Sequence, residues 1–133
     1  IIRHTPANNA HTASLFIAQG HHDAFIRKLN VTYRERRELL TRAFSRYLPQ
    51  FHIMPSQGGS GAWIQGPDGL NSQTLAESCA ARSVLIEPGD IFFRKSSPAS
   101  QSYLRLGYAA IPGNQIDAGV QELARAYDAI RPI

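Results

Sequence analysis

The chain has 133 residues, about one domain's worth, and a net charge of +4 from 14 Lys+Arg against 10 Asp+Glu. That balance permits contact with polyanions but does not demand it. A single cysteine, Cys79, excludes an internal disulfide framework, and no apolar run has the length of a membrane span.

The lone cysteine fits a reducing compartment, so a cytoplasmic location is expected. No secretory signal pattern opens the chain. Its first residue is Ile, not Met, as in a segment taken from a longer polypeptide.

The opening "IIRHTPANN" reads as an extended arm, with Asn9 as the N-cap of a short helix over residues 10–19 and Gly20 just past its end. The longest helical pattern follows, over 21–48. Phe25, Leu29, Tyr33, Leu40, Phe44 and Leu48 form its apolar stripe, Leu39, Ala43 and Tyr47 broaden it, and Arg36 interrupts it. Such a helix is roughly 40 Å long, enough to bridge two domains or line an interface. Pro49 ends it.

Residues 51–56 alternate in strand fashion, "QGGSG" turns, and residues 62–66 make a second strand, so a hairpin is expected. After a "PDG" turn a helix runs over 71–82. Asn71 is its N-cap, and Leu70 and Leu75 occupy hydrophobic-staple positions. A strand over 83–89 ends in Pro-Gly, "DIFFR" reads as a further short strand, and "KSSPASQS" is a polar loop. The strand in "SYLRLGYAAIP" and a closing helix complete the order, with Ile116, Val120, Leu123, Tyr127 and Ile130 as that helix's buried stripe. The fold class expected is α/β (α+β): an open, mostly antiparallel sheet with helices packed on one face.

One residue stands out in this order. In a strand, Leu104, Leu106 and Tyr108 share the core face, while Tyr103, Arg105 and Gly107 share the other. Gly107 leaves the space beside the guanidinium open. An arginine is a planar fork of donors matched to a carboxylate or phosphate. Taken alone, the pattern is that of an arginine on the wet face of an antiparallel sheet, where arginines usually lie.

Other motifs carry less. "YRERRELLTR" interleaves four arginines with two glutamates, which is the pattern of a solvated helix face rather than a nucleic-acid patch. Adjacent histidines in "GHHD" diverge by about 100° on a helix, and a distant lone cysteine does not complete a zinc site, so no metal is expected. "GGSG" joins two strands and lacks the following Lys-Ser/Thr of a phosphate loop. No nucleophile-elbow string is present, and no catalytic residue is assigned. Trp63 is read as core or interface packing.

Six strings in register then carry a resemblance: "ASLFIAQGHHDAFIRKL" with "YRERRELL", "GGSGAWIQGP", "ARSVLIEPGDIFF", "YLRLGYAAIP" and "IDAGVQELARAY". The chain resembles the C-terminal part of pyridoxal-phosphate-dependent aminotransferases of the aspartate aminotransferase type. It looks most like the aminotransferase-like domain of GntR-family regulators of the MocR subgroup. The resemblance implies three parts: the end of a large domain over 1–20, an interdomain helix over 21–48 and a small C-terminal domain over 49–133. By position in "YLRLGYA", it implies that Arg105 receives the α-carboxylate of an amino-acid ligand. It places the strand of Trp63 near the ligand, which gives that residue a pocket role as its alternative, and it implies a homodimer, in which Asn8 and Asn9 either reach a neighbouring subunit's site or form a simple loop.

The lysine that forms the Schiff base in that family lies upstream of the matched region. Lys28 and Lys95, the two lysines here, do not sit in a comparable serine-rich stretch. Pyridoxal phosphate is therefore expected in the full-length protein, with none held covalently by this stretch. DNA would be met only through an N-terminal winged-helix domain outside it. Three functions follow: the effector-sensing and dimerisation part of a regulator that binds an amino acid or amine, the matching part of a true aminotransferase, or a free-standing α+β domain that binds anions or nucleic acid.

Overall fold

The computed structural model describes residues 6–131. The chain separates into two compact units, residues 1–32 and 33–133, with the division falling inside the long second helix.

In the first unit, helix α1 spans Ala7–Ala18, and α2, spanning His21–Tyr47, begins two residues after Gln19. Helix α1 starts three residues earlier than the capping pattern suggests, so Asn9 is not its N-cap. Pro6 holds that position without a side-chain bond, and the Ala10 N–H donates to its carbonyl at 3.1 Å. Proline's fixed φ and missing N–H cost a helix nothing at its start, which is why the asparagines fall inside the first turn. Gly20 takes a left-handed φ of 75° just past the C-cap, a conformation that favours glycine. Phe25, the first member of the predicted apolar stripe, is exposed here, as are Leu15, Phe16 and Ile17.

The second unit is built on a four-stranded, wholly antiparallel sheet in the order β1-β2-β4-β3. The strands are β1 (His52–Ile53), β2 (Gly61–Gln65), β3 (Glu87–Pro88) and β4 (Tyr103–Gly107). The expected hairpin forms, pairing His52 with Gln65 and Ile53 with Ile64. Its glycine turn is tied down by the residues just after β4: the Tyr108 hydroxyl donates to the Gly59 carbonyl at 2.8 Å, and the Tyr108 and Ala109 N–H groups both donate to the Ser60 carbonyl.

The edge strand β3 is shorter than residues 83–89 suggest. Pro88 brings no N–H to the ladder. At Gly89 the chain presses against β4 so closely that a Cβ there would lie 2.4 Å from the Tyr103 carbonyl oxygen. The backbone must turn away. "DIFFR" is therefore not a strand: Gly89–Phe92 form a 3₁₀ turn, whose phenylalanine packs on the sheet face instead of pairing along its edge.

The alternation on β4 holds: Leu104 and Leu106 are buried, as is Tyr108 just beyond the strand. With Ala62 and Ile64 of β2 they meet three helices on one face of the sheet. Helix α2 contributes Leu40, Ala43 and Phe44, with Leu48 just beyond it. Helix α3 (Ser72–Ala80) contributes Leu75 and Cys79, and α4 (Gly113–Ile130) contributes Ile116, Val120, Leu123, Ala126 and Tyr127. Asn71 caps α3 as its sequence position indicates, its Oδ1 accepting from the Gln73 and Thr74 N–H groups at 3.0 and 3.1 Å. Leu70 and Leu75, the staple pair, are both buried. Burial pushes the Cys79 thiol up to about 11, against a smaller lowering by the nearby Arg82 cation. Among the described residues, no helix is long and apolar enough to cross a membrane.

Candidate ligand-binding site

Helices cover one face of the sheet, and Arg105 projects from the other. Antiparallel register sets three residues in a row across three strands: Glu87 on β3 is the partner of Arg105 on β4, and Arg105 is the partner of Trp63 on β2. Directly opposed residues on adjacent strands project to the same side. All three therefore share the face away from the core.

The guanidinium is only half committed. Arg105 Nη1 donates to both Glu87 oxygens, at 2.7 and 2.9 Å. Among the described residues, Nε and Nη2 have no hydrogen-bond partner. They lie beside Gly61, where a Cβ would stand 3.6 Å from Nε and 3.7 Å from Nη2. Gly61 pairs with Gly107 across the strands, and a Cβ on Gly107 would meet nothing within 4 Å. Two glycines thus keep the Nε–Nη2 edge uncovered. This edge presents two parallel N–H groups, the geometry that binds a carboxylate bidentately.

Both members of the ion pair are part-exposed, at 41% for the Arg105 side chain and 49% for Glu87. At that exposure the pair adds little to stability. Its effect is on where the fork points. A partly open cavity of about 190 Å³ lies elsewhere, lined by residues such as Leu40, Val84, Tyr108 and Val120, and Arg105 takes no part in it. Arg105 fronts an open face.

Beside it stands an aromatic wall. Trp63 stacks on Tyr103 at 5.5 Å between ring centroids and 12° between planes. Phe92 meets Trp63 edge-on at 5.6 Å, and Phe93 lies 6.0 Å away. Phe92 and Phe93 remain partly exposed.

Of the residues singled out in the sequence, the fold brings Arg105 and Trp63 together as direct register partners. Asn8 and Asn9 are exposed residues in the first turn of α1, in the other unit, and the Asn8 carbonyl accepts from the Thr12 hydroxyl at 2.8 Å. Lys28 and Lys95 are both exposed. Among the described residues, no group of three or more His, Cys, Asp or Glu side chains is placed to hold a metal. Sequence reasoning missed Glu87, and it put Tyr103 on the face of Arg105 without giving it a part there. The signal was present: counting back from the Pro-Gly turn puts Glu87 on an edge strand beside β4, but the register that sets it opposite Arg105 is not written in either strand alone.

The chain as a whole is similar to known proteins. The chain is 36% identical over 128 residues to the HTH-type transcriptional regulator TauR of Rhodobacter capsulatus, covering 95% of this chain and 26% of that protein. It is 26% identical over 110 residues to aromatic-amino-acid aminotransferase 1 of Thermococcus litoralis, covering 82% of this chain and 26% of that protein. Among solved structures, the α-aminoadipate aminotransferase LysN of Thermus thermophilus, complexed with N-(5'-phosphopyridoxyl)-L-leucine, superposes with a TM-score of 0.81. Its identity is 26%, and the match covers 95% of this chain and 32% of that one. The chain thus spans about a quarter of the length of the curated relatives it matches. No protein-family model matches it.

Proposed function

We propose that this chain, which belongs with the C-terminal aminotransferase-like domains of MocR-type regulators, is the effector-sensing and dimerisation portion of such a regulator. The observation that carries this reading is the uncovered Nε–Nη2 edge of Arg105. It is a preformed bidentate donor on a rigid strand, kept accessible by Gly61 and Gly107. The intact protein recognises an amino acid or amine, contacts DNA through a segment outside this stretch, acts as a homodimer and works in the cytoplasm.

Each residue of the face has a physical part. Arg105 binds the ligand's carboxylate and fixes its orientation. Trp63 and Tyr103, stacked on each other, form a flat apolar wall beside it, which excludes water and strengthens the ion contact. The residues present fit the ligand's end of a pyridoxal-phosphate site: a carboxylate donor on the sheet face, with the two lysines of the chain exposed elsewhere. When bound by the intact protein, pyridoxal phosphate supplies the aldehyde that takes up the ligand's amine. The groups that hold it belong to the rest of the polypeptide. Ligand capture at Arg105 is then coupled to the DNA-binding segments by its different affinity for two arrangements of the dimer.

The test is a comparison of ligands in the intact protein. An amino acid and the amine that lacks only its carboxylate should differ in affinity for the parental protein and bind alike to Arg105→Ala. A ligand preference unchanged by the substitution contradicts the reading. A second reading has its own support, since LysN and the Thermococcus litoralis protein are named as aminotransferases. In it Arg105 orients a substrate, and the intact protein turns over amino acid and keto acid. Multiple-turnover assays separate the two.

A further inference from the structure

We propose that Glu87 is a specificity-determining residue that makes the Arg105 site selective for ligands with one carboxylate over ligands with two. This rests on the reading of Arg105 as the carboxylate receiver, and it assigns a role to a residue that the reading leaves unused.

Two observations carry it. Glu87 engages one nitrogen only, Nη1, with both of its oxygens. That contact occupies one side of the fork and directs an incoming carboxylate to the Nε–Nη2 edge beside Gly61. The second observation is charge. Arg105 and Glu87 are direct register partners on neighbouring strands and part-exposed, so a ligand on the free edge meets a cation and an anion whose charges sum to zero. The first carboxylate of a ligand gains short, directional bonds to the fork. A second carboxylate reaches no further donor of that fork and is repelled by Glu87. At several ångströms in a half-wet setting, that repulsion is worth roughly three- to tenfold in affinity. A zwitterionic monocarboxylate avoids the penalty.

Glu87 also holds the guanidinium still, and this effect favours every carboxylate alike. The ratio of affinities for a dicarboxylate and a monocarboxylate cancels the orienting effect and isolates the charge. The experiment titrates the full-length parent protein with butyrate and with succinate, two four-carbon probes, by calorimetry at fixed ionic strength. Glu87→Gln keeps an oxygen to accept from Nη1 but removes the charge. Glu87→Thr removes both and suits a strand, so a misfolded first variant does not end the test. Both substitutions should shift the succinate-to-butyrate affinity ratio towards succinate, roughly three- to tenfold. A ratio within twofold of the parental value in both variants overturns the role of Glu87. Arg105→Ala is measured alongside. If it loses both probes while the Glu87 variants leave the ratio alone, Glu87 fails and the Arg105 reading stands. If it binds both probes as the parent does, the Arg105 reading fails and the role of Glu87 fails with it.

Discussion

Trp63 and Arg105 are direct partners across the central pair of strands, and both project from the sheet face that the helices leave bare. Trp63 is also the chain's only tryptophan. Its indole stacks on Tyr103 and meets Phe92 edge-on, so its surroundings report on the whole wall beside the guanidinium. A carboxylate arriving at Arg105 should change the Trp63 emission, and Arg105→Ala should abolish that change. Replacing Trp63 with Ala removes a half-buried aromatic and should cost about 1.5–3 kcal/mol in denaturant unfolding, below the range for a fully buried aromatic.

Gly61 is predicted to be a gatekeeper. A Cβ there already approaches the Leu106 carbonyl at 3.1 Å and stands over the free edge of Arg105. Gly61→Val should leave the sheet assembled while weakening carboxylate binding at least tenfold, checked by titration alongside circular dichroism. Undiminished binding would mean that ligands reach the fork from another side.

A second glycine, at the start of the 3₁₀ turn after β3, acts on stability. A side chain at position 89 collides with the Tyr103 backbone, and backbone cannot move aside as a flexible side chain does. Gly89→Ala should therefore destabilise the unit by about 1–3 kcal/mol, in the range of overpacked cores, and should loosen the Phe92–Trp63 contact. Thermal unfolding followed by Trp63 fluorescence reads both effects.

Much of this architecture was legible in the residues. The N-cap at Asn71, the Leu70–Leu75 staple, the arrest at Pro49 and the alternation along β4 each rest on local chemistry, and each is seen in the fold. The failures share a different cause. "DIFFR" has strand composition, but the close approach of Gly89 to Tyr103 turns the chain, and that contact joins residues fourteen apart. Asn9 is a good capping residue, yet Pro6 starts the helix earlier. The site divides the same way. Arg105 was visible as a charge in an apolar run, whereas Glu87 became visible only once strand pairing set it opposite.

The Asn71 cap gives a calibrated local test. Two backbone N–H groups lose their acceptor in Asn71→Ala, which should cost about 1 kcal/mol, while Asn71→Asp should retain the stability. Urea midpoints for the three proteins decide it.

Cys79 predicts a pH dependence. Its folded-state value, about 11, lies above the ordinary 9.0 because burial disfavours the thiolate. Between those two values the unfolded chain has released a proton that the folded chain retains, so stability falls as pH rises from about 9 towards 11. The loss should reach the order of 2–3 kcal/mol once both states are ionised. Cys79→Ser should flatten that slope. At neutral pH the thiol should resist thiol reagents until the protein unfolds.

The central claim is that one edge of one guanidinium receives a ligand's carboxylate. Its most direct measurement is a dose response of the intact protein to a carboxylate-bearing effector, for the parent, Arg105→Lys and Arg105→Ala. The account predicts near-parental folding in all three, since the part-exposed pair with Glu87 adds little stability. It also predicts a response weakened by lysine, which lacks the fork, and abolished by alanine. A parental dose response in the alanine variant would contradict it.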